Sequence, residues 1–236
     1  IQKNHLLFEL IGSVRSQMNA LEKDKLVEKL GNRLAVVYNN TEEGRNFYEE
    51  VKAVAPALSL NVVGGEPIEA STVDFRKDVG NLKALPEFDW VFLPVNSMVA
   101  LQLIPVFRYL DMNSPHFVGG PSWKTKSLMK SYLPMQKIHF VADEDSLKDD
   151  DFKAQYLKEK NESAGYLEYL GHEAVSMARE ALKEAPSRSS RSSLSDYFKE
   201  LGNLHGYSSS WHLEQGIWLK EMKTLGIEND KIVPFN

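Results

Sequence analysis

The chain has 236 residues, 42% of them hydrophobic, and a formal net charge of −5. That length and apolar content suffice for one large domain or two lobes with a real core, and the interspersed charges argue against a general nucleic-acid binder, which needs phosphate neutralisation. No apolar run approaches the roughly 18 residues of a membrane-spanning helix, and the absence of cysteine excludes disulfides, thiolate metal sites and cysteine nucleophiles.

Leu7, Leu10, Val14, Met18 and Leu21 recur at helical spacing and predict a first helix. Leu26, Val27 and Leu30 mark a short second turn, ended by Gly31-Asn32. "RLAVVY" is a buried-strand pattern over 33–38. Asn39, Asn40 and Thr41 follow it; all are good N-caps, because a short side-chain oxygen accepts from the free N–H groups of a first helical turn. The helix they open shows Phe47, Val51 and Val54 on one face. "SLNVV" predicts a strand over 59–63, closed by Gly64-Gly65, and Phe75, Val79 and Leu82 a short helix. "WVFLP" predicts a strand over 90–94, and Leu101, Ile104, Phe107 and Leu110 the helix after Ser97. "HFVGG" and "KIHFVA" give strands over 116–119 and 138–141, with a helix carrying Leu128, Met129 and Tyr132 between them. Short, continuously apolar strands alternating with amphipathic helices predict an α/β fold with one parallel sheet covered on both faces.

The pattern then changes. The acidic run from Asp143 to Asp151 reads as a solvated connection between lobes. A long helix over 164–184 shows Leu167, Leu170, Ala174, Ala178 and Leu182, and "PSRSSRSS" reads as an exposed polar loop. Ser193 is placed to cap a short helix through Leu201, and two or three short antiparallel strands follow from Gly206. These features divide the chain into an α/β domain over 1–148 and returning helices and closing strands over 149–236.

Three strand ends carry polar turns: Asn39-Asn40-Thr41, Asn96-Ser97, and Gly119-Gly120-Pro121-Ser122-Trp123. In a parallel sheet all three lie on one edge, where helix N-termini present free N–H groups and favour a carboxylate or phosphate. Asn39, Asn40, Thr41, Asn96, Ser97, Gly120, Ser122 and Trp123 are therefore the candidate ligand-binding residues, with Trp123 as an aromatic wall. The same residues also serve as helix caps and turns of any α/β fold.

Other motifs carry less. "SLMK" over 127–130 matches the S-x-x-K of penicillin-binding serine enzymes, but no S-D-N is present and "WKTKS" supplies no K-T-G. "GGPSWKT" has Trp123 where a phosphate loop needs glycine, and the acidic run lacks the glycine of a calcium loop. The six histidines are scattered; His172-Glu173 lacks the second histidine of a zinc helix, and His116 and His139 abut strands as packing residues. No cofactor, metal or catalytic constellation is implied, so the chain reads as a non-enzyme.

"RLAVVYNNTEEGRNFYEEVKA", "FDWVFLPVNSMVALQLIPVFRYLDM" and "FVGGPSWKTKSLMK" resemble the second lobe of type 1 periplasmic binding proteins, two-lobed solute receptors that close around a ligand. "YLEYLGHEAVSMAREAL" is similar to their returning helix, with His172-Glu173 in the middle pair, and the segment from Asn203 to Phe235 to their closing strands. Within that superfamily the resemblance is strongest to the penicillin-binding protein activators, on Leu93-Pro94, Ile104-Pro105 and Trp123; Gly120-Pro121-Ser122 departs from their turn at the threonine.

The resemblance implies a periplasmic protein, with outer-membrane anchoring through a segment preceding Ile1 and a peptidoglycan synthase as partner. The alternative it implies is the solute-binding component of an ABC transporter, with a small-molecule solute as ligand. Amino-acid receptors of this fold often hold the ligand ammonium with an acid near the third strand end; the matching position is Val99, which cannot pair with a charge. The fold's first lobe is expected to be absent from the chain. The stripe of helix 164–184 would then be uncovered, a surface for self-association.

Overall fold

The computed structural model describes residues 8–69, 71–112, 115–143, 150–162, 164, 166–183, 191–207 and 209–235. The chain forms two compact units: residues 17–142 with 222–236, and residues 1–16 with 143–221. This division differs from the expected 1–148 and 149–236, because the last residues rejoin the larger unit and the first sixteen belong to the smaller.

The strands in chain order are β1 (Arg33–Asn39), β2 (Asn61–Ile68), β3 (Trp90–Leu93), β4 (His116–Gly119) and β5 (Ile138–Ala142), then β6 (Asn203–His205), β7 (Ser210–Glu214) and β8 (Ile217–Lys220) of the smaller unit, and finally β9 (Lys223–Glu228) and β10 (Lys231–Pro234). The larger unit is built on a seven-stranded sheet of order β10-β9-β5-β4-β3-β1-β2. β1 to β5 are mutually parallel, as their unbroken apolar runs require. β9 adds antiparallel to β5, and β10 to β9. Two or three antiparallel strands are expected from Gly206 on; the described residues there form four, β7 to β10, and two of them extend the main sheet.

Helices α1 (Val14–Lys23), α2 (Leu26–Leu30), α3 (Glu42–Val54), α4 (Arg76–Asn81), α5 (Ser97–Tyr109) and α6 (Lys126–Met129) alternate with these strands. Every residue of β3 and β5 is buried, and so is the centre of β1. Val91, Leu93, Phe117 and Phe140 of the sheet pack with Ala100, Leu103 and Phe107 of α5 in one core.

Three boundaries differ from the sequence reading, each for a local reason. The first helix begins at Val14 and omits Leu10, because Ser13 accepts a hydrogen bond from the Ser16 amide and caps it there. Leu7 lies outside the described residues. β2 does not stop at Gly64-Gly65 but runs through them to Ile68. A Cβ on Gly64 would stand 2.5 Å from Leu85, and one on Gly65 2.6 Å from the Tyr48 ring, so these glycines admit covering side chains rather than end the strand. α6 spans only Lys126–Met129, capped by Thr125, and leaves Tyr132 fully exposed beyond it.

The smaller unit packs α8 (Tyr166–Leu182) and α9 (Arg191–Leu201) with the antiparallel sheet β6-β7-β8; α7 (Asp150–Lys160) precedes them. Met177, Ala181, Phe198, Leu204, Trp211 and Trp218 form its core. The buried face of α8 is Tyr169, Leu170, Glu173, Met177 and Ala181, whereas Ala174 is half-buried and Ala178 exposed. Of the expected stripe, Leu170 is covered whereas Ala178 and Leu182 are exposed, and the Leu167 side chain lies outside the described residues. α9 starts at Arg191, so Ser193 sits within its first turn rather than ahead of it. Of the acidic run, residues 144–149 lie outside the described residues, and Asp143 is not solvated but buried against Lys220.

Candidate functional site

The order β5-β4-β3-β1-β2 sets the site. From β1 the chain crosses outward to β2, then returns past β1 to β3 and on to β4. The connections leave β1 and β3 in opposite directions, opening a crevice beyond their carboxyl ends. The residues at this switch point are Asn39-Asn40-Thr41 and Asn96-Ser97. β4 is the next strand over and ends on Gly120-Pro121-Ser122-Trp123.

Two of the three turns are helix caps. The Thr41 hydroxyl accepts from the Gly44 amide at 3.1 Å, and the Asn96 Oδ1 from the Val99 amide at 3.0 Å. The Asn96 side chain is exposed, and its Nδ2 donates to no described residue. Ser97 is buried in the first turn of α5. Asn39 is half-buried, and its carbonyl accepts from the Thr41 amide at 2.8 Å.

Asn40 is committed to a network. Its Nδ2 donates to Glu69 Oε1 at 2.5 Å, and its Oδ1 accepts from Arg45 at 2.7 Å. Glu69 escaped the sequence reading because the second strand was ended five residues early. The true end of β2 places this carboxylate on the same edge of the sheet. The Glu43 carboxyl, in the first turn of α3, is held below its usual range by a backbone N–H and the Thr41 hydroxyl.

Trp123 corrects the expectation of an aromatic wall. It is 0% exposed. Its indole N–H donates to the Val95 carbonyl at 2.8 Å, and the Ser122 hydroxyl reaches the same oxygen at 3.4 Å. A Cβ on Gly119 would lie 2.0 Å from the ring, so glycine there gives the indole its space. Trp123 is a strut that ties the turn after β4 to the turn after β3. Trp123→Phe keeps an aromatic ring but loses the N–H and part of the volume. It should cost about 2 kcal/mol in urea unfolding; a loss below about 0.5 kcal/mol would refute the strut.

Ser127 is exposed in the short α6, and no group of three or more histidine, aspartate or glutamate side chains able to hold a metal occurs among the described residues. His172 stacks on Phe152 at 4.5 Å and meets Tyr207 edge-on at 4.7 Å. Glu173 is fully buried and accepts from the Ser209 amide at 3.0 Å. That pair packs α8 and braces the loop before β7.

Comparison with solved structures decides the fold. A branched-chain amino acid ABC transporter protein from Rhodospirillum rubrum superposes with a TM-score of 0.74 at 13% identity, over 97% of this chain and 67% of that one. The leucine-, isoleucine-, valine-, threonine- and alanine-binding protein of Brucella ovis gives 0.69 at 14% identity, over 99% and 64%. A branched-chain amino acid transporter substrate-binding protein of Streptococcus pneumoniae, solved with isoleucine, gives 0.59 at 16%, over 93% and 63%. The fold is that of the type 1 periplasmic binding proteins.

The chain spans about two thirds of the length of these type 1 binding proteins. No protein-family model and no curated protein matches it. The solved structures named here are binding proteins or components of amino-acid transporters. No helix among the described residues is long and apolar enough to cross a membrane.

Proposed function

We propose that this chain is the ligand-holding part of an extracytoplasmic solute receptor serving an ABC transporter, and that its solute carries a carboxylate or neutral polar head without an ammonium. The observation that supports it is the switch-point crevice between β1 and β3, with the free Asn96 amide on its edge and apolar Val99 beside it. The N-terminus of α5 favours negative charge there. Val99 is half-buried and offers no counter-charge, so an ammonium seated against it would be left unpaired at high cost. The receptor class is supported by the fold's solved relatives, several of which are named for branched-chain amino acids. The activator reading rests on Leu93-Pro94, Ile104-Pro105 and Trp123, and Trp123 has a full structural explanation without a partner.

A matched pair of solutes tests the reading. L-leucine and 4-methyl-2-oxopentanoate differ at one position, the amino group. In the full-length protein, the oxo acid or a related short carboxylate at about 100 times its dissociation constant should add roughly 2.7 kcal/mol, a rise of several degrees in melting temperature. Asn96→Asp keeps a capping oxygen but removes the amide donor and adds negative charge, and it should abolish the shift. No shift across a panel of short carboxylates, a larger shift with leucine, or a shift that survives Asn96→Asp overturns the proposal.

A further inference from the structure

At the opposite end of the same sheet lies a cavity of about 420 Å³, within the size range of small-molecule sites. α5 runs back along the sheet, so its last two turns reach the amino end of β4 and the segment leading into β5. Ile104, Phe107 and Phe117 form an apolar floor, each no more than 3% exposed. The two phenyl rings meet edge-on at 5.0 Å. Leu133 and Pro134, both half-buried, make a side wall.

The charged side chains that line this cavity are Arg108 and Lys137, both cations. Among the described residues no carboxylate lines it. The Arg108 guanidinium is exposed and has no hydrogen bond or ion pair with a described residue. Two other exposed arginines, Arg45 and Arg76, are engaged by neighbouring side chains. An unengaged guanidinium above a phenyl floor is the complement of a compact anion with an apolar body, because its planar fork takes a carboxylate in two parallel hydrogen bonds.

We propose that the larger unit carries a second small-molecule site here, for an amphipathic monocarboxylate with an aryl or branched aliphatic body. It lies at the amino ends of the strands, away from the crevice at their carboxyl ends, and stands independently of the receptor reading.

The test is isothermal titration of the full chain with 4-phenylbutyrate and its uncharged counterpart 4-phenylbutanamide. The carboxylate should bind saturably and the amide at least tenfold more weakly. Arg108→Gln, a change at an exposed position, should weaken the carboxylate at least tenfold and leave the amide unaffected. Leu133→Trp should fill the cavity and remove both, with the melting temperature retained as the check on folding. Asn96→Asp should leave 4-phenylbutyrate binding unchanged, which separates this site from the crevice. Absence of saturable binding, unchanged affinity in Arg108→Gln, or loss of binding in Asn96→Asp would each overturn the site.

Discussion

Replacing Lys220 with methionine should destabilise the smaller unit by about 3–5 kcal/mol. Lys220 is 2% exposed, and its Nζ donates to Asp143 Oδ2 at 2.8 Å and to the Leu10 carbonyl at 3.2 Å. Its backbone N–H reaches Glu9 Oε2 at 3.3 Å, an oxygen that also accepts from the Ser16 hydroxyl at 2.6 Å. The ammonium therefore joins three segments far apart in sequence. Methionine fills much the same volume but removes the charge, leaving the buried Asp143 carboxylate without its counter-ion. An ion pair at the surface would be worth at most about 1 kcal/mol; burial makes breaking this one far more costly. Removing both charges should recover most of the loss, because a buried pair gains little over well-packed neutral residues of similar volume. Urea unfolding of Lys220→Met, Asp143→Asn and the double variant measures this. A single-variant loss under about 1 kcal/mol, or simple additivity in the double variant, would show that the pair is not coupled.

Acid should weaken the larger unit by about 3 kcal/mol between pH 7 and pH 4 through His139. His116 Nδ1 and His139 Nε2 lie 3.1 Å apart, one imidazole donating to the other. His139 is 6% exposed, and the Phe235 ring meets it edge-on at 4.8 Å. Burial, reinforced by His116, pushes the His139 value from 6.5 down to about 4. Burial, with Lys137 nearby, lowers His116 in the same direction. The sign follows from proton binding. The unfolded chain takes up the proton more readily than the folded one, so the neutral pair's contribution is complete above 6.5 and drains away as pH falls toward 4. Lys29 and Glu228 line the same cleft as the two rings, and Glu228 forms no ion pair with either imidazole among the described residues, so the charge is not offset. Unfolding free energies of wild type and His139→Leu at pH 7 and pH 4 should diverge by that amount in slope. Parallel pH profiles would show that the pair does not titrate as described.

The candidate rim was partly legible because capping is a local matter. Thr41 and Asn96 bond to amides three residues ahead, and that spacing is written in the sequence. Asn40 was identified as well, but its partner Glu69 was not, because finding it required the true end of β2. An aromatic wall at Trp123 depends on how much of the ring the fold leaves open. Its complete burial follows from the space at Gly119 and the Val95 carbonyl opposite the indole N–H.

The sequence by itself determined the parallel sheet, since a run such as "RLAVVY" has no polar face to turn to solvent, and it determined the helices whose caps and apolar faces repeat within a few residues. Only the tertiary structure decided that Gly64 and Gly65 continue a strand under Leu85 and Tyr48, and that β9 and β10 return to the main sheet. Only the tertiary structure brought Asp143 to Lys220, 77 residues away, and His116 to His139, 23 residues away. Period and capping are set by neighbours within one turn of chain. Burial and charge pairing are set by partners that only folding brings within reach.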